Sequence, residues 1–447
     1  MRATGGSTAQ FGVGLAGHDP EAGCAIITIT SLILALGGCF WLGPLCVDAM
    51  RPVDSRVNDY YQDWGSARNY LVGLPVYTEH AISIPRHLGL TLNPVKSIDY
   101  NAHPPTSVLL ALPLAQLSYP DAVLVWNTIS LAAFLASLAI VARVLPVPAT
   151  LYLPILALLM FCHPLYGNLH AGQLTLILVL LVTAVWAFER SGRPHIAGLV
   201  LGTAVTIKLF PAYLAVYYAA RRQIRPLQAA MVSCIALTLL TSLVLGWETY
   251  RDYVCVILPH QARFRSFGYN LSIAGIWHKL FDPIGERGWM TPLWPSPALA
   301  CWGTVLSDLA ITAAVAICAH RARTASQQDL AFGITVTAMM LVSPVTWDIS
   351  LPLLLVPIAV IAHNAQGLRW MPATLASILL IVWTPQIVLT KLALGGRSLS
   401  VAPWTFMLGA PSIKFYALMA ILGLGLAALR AQAVSVDQGV MARGTVS

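Results

Sequence analysis

Charge is what this sequence lacks most. Only 10% of its 447 residues are Asp, Glu, Lys or Arg, while 57% are hydrophobic. A soluble globular chain carries about 25% charged residues, so a water-facing surface cannot be assembled from this composition. That excludes a cytosolic enzyme, a secreted disulfide scaffold and a nucleic-acid-binding domain. Cysteine pairing is missing too. The eight cysteines (Cys24, Cys39, Cys46, Cys162, Cys234, Cys255, Cys301, Cys318) form no CxxC pair and have no His at ligand spacing. Most of them fall inside apolar runs, where Cys packs as a small hydrophobe, so neither a metal centre nor a disulfide framework is expected. No repeat of about 20–50 residues is visible, which speaks against an internally duplicated transporter. The first 23 residues have neither the charged n-region nor the cleavage site of a signal peptide, so the first helix is expected to stay attached behind a polar cytoplasmic segment.

What the sequence has instead is long apolar runs, at 24–47, 121–143, 196–220, 228–247, 297–319, 328–346, 370–392 and 411–430. A membrane-spanning helix needs about 20 such residues. Shorter apolar pieces at 105–118, 148–164, 173–188 and 349–363 are expected to be tilted, re-entrant or broken. The reading is an all-α polytopic membrane protein of about 11–12 segments within the bilayer, residues 24–430, followed by a cytoplasmic tail, 431–447. The net charge of +8 fits Lys and Arg gathered in cytoplasmic loops, with Arg221, Arg222, Arg225, Arg321 and Arg323 as the markers.

Two long connections remain, 48–104 and 248–296. The first holds six acidic residues (Asp48, Asp54, Asp59, Asp63, Glu79, Asp99) against five basic ones (Arg51, Arg56, Arg68, Arg86, Lys96). Length and the low positive excess both place it outside the cytoplasm, and a loop that long in a compact protein is usually functional. Within it Asp59 and Asp63 lie four residues apart, as do Tyr60 and Trp64. On a helix this puts both carboxylates on one face beside an aromatic pair, an arrangement that suits an interfacial helix. Carboxylates next to an apolar surface suit general base chemistry; the competing reading is a solvated amphipathic helix. Lys208, in an apolar helix just before Pro211, is expensive unless it faces a cavity or a partner, and the proline is expected to break that helix. Arg263 and Arg265, interleaved with Phe264 and Phe267, suit a phosphate at the membrane interface or simply lipid headgroups. His163 and His170 flank Tyr166-Gly167-Asn168, where a satisfied polar role is the plainer reading.

Together these residues resemble glycosyltransferase family 87. Asp59-Tyr60 followed by Ala67-Arg68, Leu71, Gly73 and Tyr77 resembles its opening motif. His103-Pro104-Pro105 and Ala111-Leu112-Pro113-Leu114-Ala115 follow in order, then Gly172-Gln173-Leu174-Thr175. Ala197-Gly198-Leu199-Val200-Leu201-Gly202-Thr203-Ala204, Lys208-Leu209-Phe210-Pro211 and Ser343-Pro344-Val345-Thr346-Trp347 complete the series. One departure is Asp348-Ile349-Ser350 after Trp347, where many relatives have a His.

The resemblance implies a GT-C-type fold and inverting transfer of a mannose-like hexose. The donor would be a polyprenyl-phosphate sugar and the acceptor a glycolipid or glycan, on the periplasmic face of a bacterial plasma membrane, with no cofactor. It places the general base on Asp59, with Asp63 orienting or replacing it. Arg68, His103, Lys208, Arg263 and Arg265 become candidate donor contacts, and Gln173, Asn270, Trp347 and Asp348 further substrate contacts. Asn270-Leu271-Ser272 is also a potential glycan acceptor site. A lipid-linked-sugar translocase or a non-catalytic partner of an envelope glycan synthase shares the same composition and stands as the alternative.

Overall fold

The computed structural model describes residues 20–52, 57–90, 99–145, 152–282, 290–364, 371–383 and 408–444, with isolated positions between 388 and 406. The polar start of the chain, Asp54, Arg56, Lys96 and part of the run at 370–392 lie outside the described residues. Helices fill the rest in the order α1 (Pro20–Met50), α2 (Tyr61–Leu71), α3 (His80–Leu88), α4 (Pro105–Ala111), α5 (Tyr119–Val144), α6 (Tyr152–Met160), α7 (His163–Ala171), α8 (Thr175–Arg190) and α9 (Pro194–Ile207). They continue as α10 (Ala215–Ala220), α11 (Ile224–Leu245), α12 (Trp247–Asp252), α13 (Leu258–Gln261), α14 (Ile273–Phe281), α15 (Pro297–Arg321), α16 (Ala325–Val342), α17 (Leu355–Asn364), α18 (Met371–Trp383) and α19 (Ile413–Gly444). Among the described residues the one β pairing is a two-residue parallel bridge, Met290–Thr291 with Ala402–Pro403. The protein is an all-α, multi-pass membrane protein.

The chain divides into a small unit, Met1–Gly43 with Val147–Phe161, and a large unit, Pro44–Pro146 with Cys162–Ser447. In the small unit α1 and α6 meet closely: a Cβ on Gly38 would lie 2.8 Å from that of Met160.

Among the described residues of the large unit, four helical stretches are long and apolar enough to cross a bilayer: Tyr119–Val144, Ile224–Leu245, Pro297–Arg321 and Ala410–Ala433. The two parts of α1, Thr28–Phe40 and Gly43–Met50, make a fifth if taken as one span. The 11–12 segments expected include shorter pieces, and prolines show where those pieces and one longer run break. The piece at 105–118 is α4 and a 3₁₀ turn, Leu114–Gln116, separated at Pro113. The run at 148–164 stops at Met160, and α7 starts afresh at His163-Pro164. The piece at 349–363 is a 3₁₀ segment, Asp348–Leu354, leading into α17. The expected span at 196–220 breaks at Lys208, one turn ahead of Pro211, because a residue preceding this proline-led 3₁₀ segment (Phe210–Leu214) leaves the helical region. α16 is buried along almost its whole length and is closed at its start by a capping box between Thr324 and Gln327. α15 is the opposite case, with 6% of its apolar window buried, so the hydrocarbon of the bilayer is its natural surrounding.

The tightest helix pair is α9 on α11, and the Ala-Gly-Leu-Val-Leu-Gly run explains it. Gly198 and Gly202 stand one turn apart, and a Cβ on them would lie 2.2 Å from the Pro226 carbonyl oxygen and 2.3 Å from that of Ala230. Small residues at this spacing let two membrane helices touch backbone to backbone. This contact fixes the end of α9, and with it Lys208. We expect Gly202→Leu to destabilise the protein by about 1–3 kcal/mol or more through overpacking. The melting temperature of the purified protein in detergent should fall, and an unchanged value would contradict the contact.

Candidate active site

Asp59 belongs to a turn, not to a helix. α2 starts two residues later, at Tyr61. The turn is docked on the C-terminal end of α7: the Tyr60 amide donates to the Ala171 carbonyl (3.1 Å), and the Asn58 Nδ2 donates to the His170 carbonyl (3.3 Å). The Tyr119 hydroxyl donates to the Asn58 Oδ1 (2.7 Å), and Tyr60 stacks on Trp126 with ring centroids 4.8 Å apart. Trp126 in turn donates from Nε1 to the Gly172 carbonyl (3.0 Å). Gly172 ends α7 at φ +66°, and a Cβ there would come within 2.7 Å of the Tyr60 Cβ. Only glycine meets both demands without strain. The next residue, Gln173, donates from Nε2 to the Asp59 Oδ2 (2.7 Å). Asp59 is therefore an exposed carboxylate held on a rigid turn, and its other oxygen has no hydrogen-bond partner among the described residues.

Asp63 has the opposite surroundings. It is 1% exposed, and both oxygens are occupied: the Ser107 hydroxyl donates to Oδ1 (2.6 Å), with Asn101 Nδ2 at 3.4 Å, and the His103 Nδ1 faces Oδ2 at 2.8 Å. His103 is itself fixed by the Asn101 Oδ1 at its amide and by the Tyr77 hydroxyl at its carbonyl (2.7 Å). Burial alone would push the Asp63 carboxyl up, but the His103 imidazole, with Ser107 and Asn101, brings it below its ordinary value. The expectation of two acids sharing one helix face is thus corrected. So is the expectation of an interfacial helix, because Tyr61, Asp63, Trp64, Gly65, Ser66, Ala67 and Asn69 of α2 are all buried. A helix packed on several sides has no free face to lay on a membrane.

Lys208 ends α9 in extended geometry. The charges acting on it are the carboxylates of Asp63 and Asp59, and its ammonium lies 5.9 Å from the Phe210 ring. No hydrogen-bond acceptor among the described residues reaches its Nζ. Asp59, Asp63, His103, Gln173 and Lys208 are therefore brought together.

The remaining candidates lie elsewhere. Arg68 donates to the Ala115 carbonyl (3.1 Å) and lies 5.6 Å from the Trp64 ring, which ties α2 to the 3₁₀ turn at Leu114–Gln116. Arg263 pairs with Asp99, linking the two long loops, and Arg265 is exposed. Trp347 is packed edge-on by Phe264 and Phe267. Asn270 is corrected outright, both as a substrate contact and as a glycan acceptor. It is fully buried, donates from Nδ2 to the carbonyls of Arg265 (3.0 Å) and Pro344 (2.9 Å), and accepts at Oδ1 from the amides of Ser272 and Thr346 (both 3.0 Å). An amide so occupied is a staple between loops, with nothing left to offer.

Four residues were not foreseen in the sequence. Ser107 and Asn101 complete the Asp63 cage. Lys279, buried beneath Asn270, donates from Nζ to its carbonyl (2.9 Å), and burial pulls the amine down to about 7. Lys414 pairs with Asp348, whose other oxygen faces the His163 Nδ1 at 2.7 Å. The same rule that singled out Lys208, a cation in an apolar run, would have flagged Lys414.

This geometry can be set beside known proteins. The sequence profile of glycosyltransferase family 87 matches residues 101–344, more than half of the chain. The chain belongs to that family. As a family 87 member it is a membrane glycosyltransferase. It is 29% identical, over 82% of its own length and 84% of the relative's, to a polyprenol-phosphate-mannose-dependent alpha-(1-2)-phosphatidylinositol mannoside mannosyltransferase of Mycobacterium tuberculosis. The protein so described in Mycolicibacterium smegmatis is 28% identical over 88% of each chain. A pentamannoside mannosyltransferase of M. tuberculosis is 26% identical over 55% of this chain and 54% of its own. No solved structure matches.

The two carboxylates should separate under mutation. Asp63→Ala should cost about 3–5 kcal/mol, because it leaves the buried His103 Nδ1 without its acceptor, whereas Asp59→Asn should leave the melting temperature unchanged. With its folded-state pKa below the unfolded one, Asp63 stabilises fully above about pH 4 and loses that contribution as the pH falls further. Melting curves from pH 3 to pH 7 should show a smaller acid loss in Asp63→Asn than in the wild type.

Proposed function

We propose that this family 87 glycosyltransferase transfers a mannose-like hexose from a polyprenyl phosphate to a glycolipid acceptor on the periplasmic face, with Asp59 as general base. The observation that carries the reading is the contrast between the two acids. Asp59 is exposed, oriented by Gln173 and has an open oxygen, while Asp63 is buried with both oxygens engaged. A general base must reach the proton it takes, and Asp59 alone of the pair can.

In the transfer the acceptor hydroxyl gives its proton to the Asp59 carboxylate as its oxygen bonds to the anomeric carbon. The bond from that carbon to the phosphate oxygen breaks on the opposite face, and the electron pair leaves with the polyprenyl phosphate. Gln173 holds the Asp59 carboxylate in place to take the proton, and Asp63 with His103 holds α2 rigid behind it. The departing phosphate gathers negative charge, which the unpaired ammonium of Lys208 can meet with a charge-assisted hydrogen bond. The names of the mycobacterial relatives support mannose, the polyprenol-phosphate donor and a phosphatidylinositol mannoside acceptor. The acidic balance of the loop bearing Asp59 supports the periplasmic side, and a plasma membrane with it.

Membrane vesicles given radiolabelled polyprenyl-phosphate mannose and a phosphatidylinositol mannoside test this. Wild type should move label to the acceptor. Asp59→Asn at equal abundance should lose about 10²–10⁴ of the rate, and Lys208→Met about 10- to 100-fold, mostly through the donor. Full activity in Asp59→Asn would remove it as the base. Labelled donor that changes leaflet without transfer would favour the translocase.

A further inference from the structure

The cluster of His163, Asp348 and Lys414 has no part in the proton transfer, yet it is built with care. Lys414, the second residue of α19, is fully buried and pairs with one Asp348 oxygen. The other Asp348 oxygen faces the His163 Nδ1 at 2.7 Å. An ionised carboxylate only accepts, so Nδ1 carries the proton, and in the neutral imidazole Nε2 keeps its lone pair. Nε2 has no partner among the described residues, and the His163 side chain is 30% exposed. With a neutral imidazole the three charges sum to zero. A lone pair on a neutral cluster repels a phosphate oxygen and suits a hydroxyl donor. Trp347, half-exposed, precedes Asp348 in the chain.

Position decides what such a group could touch. His163 starts α7 and Ala171 ends it, where the Tyr60 amide beside Asp59 is bound. Eight steps of 1.5 Å put the two ends about 12 Å apart. The Asn168 Nδ2 donates to the Ile349 carbonyl (2.5 Å), so the strut between them is tied to the segment carrying Asp348 along its length.

We infer that His163, oriented by Asp348 and Lys414, is a subsite for a sugar hydroxyl lying one α7 length from Asp59. The inference rests on the transferase reading. A hydroxyl at that reach comes from the far side of the sugar being transferred or from an inner sugar of the acceptor. In both cases the O–H donates to Nε2.

Full-length protein in nanodiscs, with polyprenyl-phosphate mannose and phosphatidylinositol mannoside as probes, tests the subsite by transfer kinetics and by separate binding titrations. His163→Ala should raise the KM and Kd of one substrate by about 3- to 10-fold, the size of one lost hydrogen bond to a neutral group, with kcat and melting temperature nearly unchanged. His163→Gln, which keeps a hydrogen-bonding tip, should recover part of the loss. An effect on the donor assigns the hydroxyl to the transferred sugar, and an effect on the acceptor assigns it to the acceptor. Unaltered KM and Kd for both, or a loss confined to kcat, overturns the subsite. A wild type that binds both lipids without transfer fails the transferase reading alone, because the binding titrations still report on His163; one that binds neither overturns both.

Discussion

The hydrogen bond from the Tyr60 amide to the Ala171 carbonyl is the contact on which the rest of the site depends. It joins a loop to the end of a helix, and each neighbour of it serves the same junction. Gly172 admits the close approach, Trp126 closes over Tyr60, and Gln173 reaches Asp59 from the next position. A turn by itself has little to keep it in one conformation, since ordering backbone costs about 1–2 kcal/mol per residue. Here the cost is offset by stacking, by backbone pairing and by the Asn58 amide bridging Tyr119 and α7. The carboxylate that results is fixed without being consumed.

The same stretch of chain gives two acids opposite fates. Four residues separate Asp59 from Asp63, yet one is exposed and the other is enclosed by His103, Ser107 and Asn101. A buried carboxylate is tolerable only with its lone pairs filled and a counter-charge near, and removing either partner is costly. Such a group is well placed to hold a helix and badly placed to meet a substrate. Lys208 shows the converse. Its helix stops at it, the carboxylates of Asp63 and Asp59 are the charges that act on it, and no hydrogen bond reaches its ammonium among the described residues. Close packing of α9 on α11 through Gly198 and Gly202 holds that helix end in place.

A second design runs through α7. Its C-terminal end supports Asp59 and its N-terminal end carries His163 on Asp348 and Lys414. A single short helix therefore sets the separation between the exposed acid and a hydrogen-bonding imidazole. The residue after Trp347 is Asp348, and a histidine from α7 faces it.

The sequence by itself determined the membrane class, because composition and apolar runs are local properties that no tertiary contact reverses. It also carried the family and the break near Pro211. The number of full spans was not legible, since prolines at 113, 164 and 352 fall where apolar runs break or turn into 3₁₀ segments. Nor was the division of labour between Asp59 and Asp63. Four-residue spacing predicts a shared face only if both residues are helical, and the start of α2 falls between them. Asn270, Arg68 and Arg263 are equally polar in the sequence; only folding decides that their hydrogen bonds go to carbonyls and to Asp99. The Lys414–Asp348–His163 cluster joins residues up to 251 positions apart, by subtraction of 163 from 414. Partners that distant in the chain are chosen by packing, and no local pattern records them.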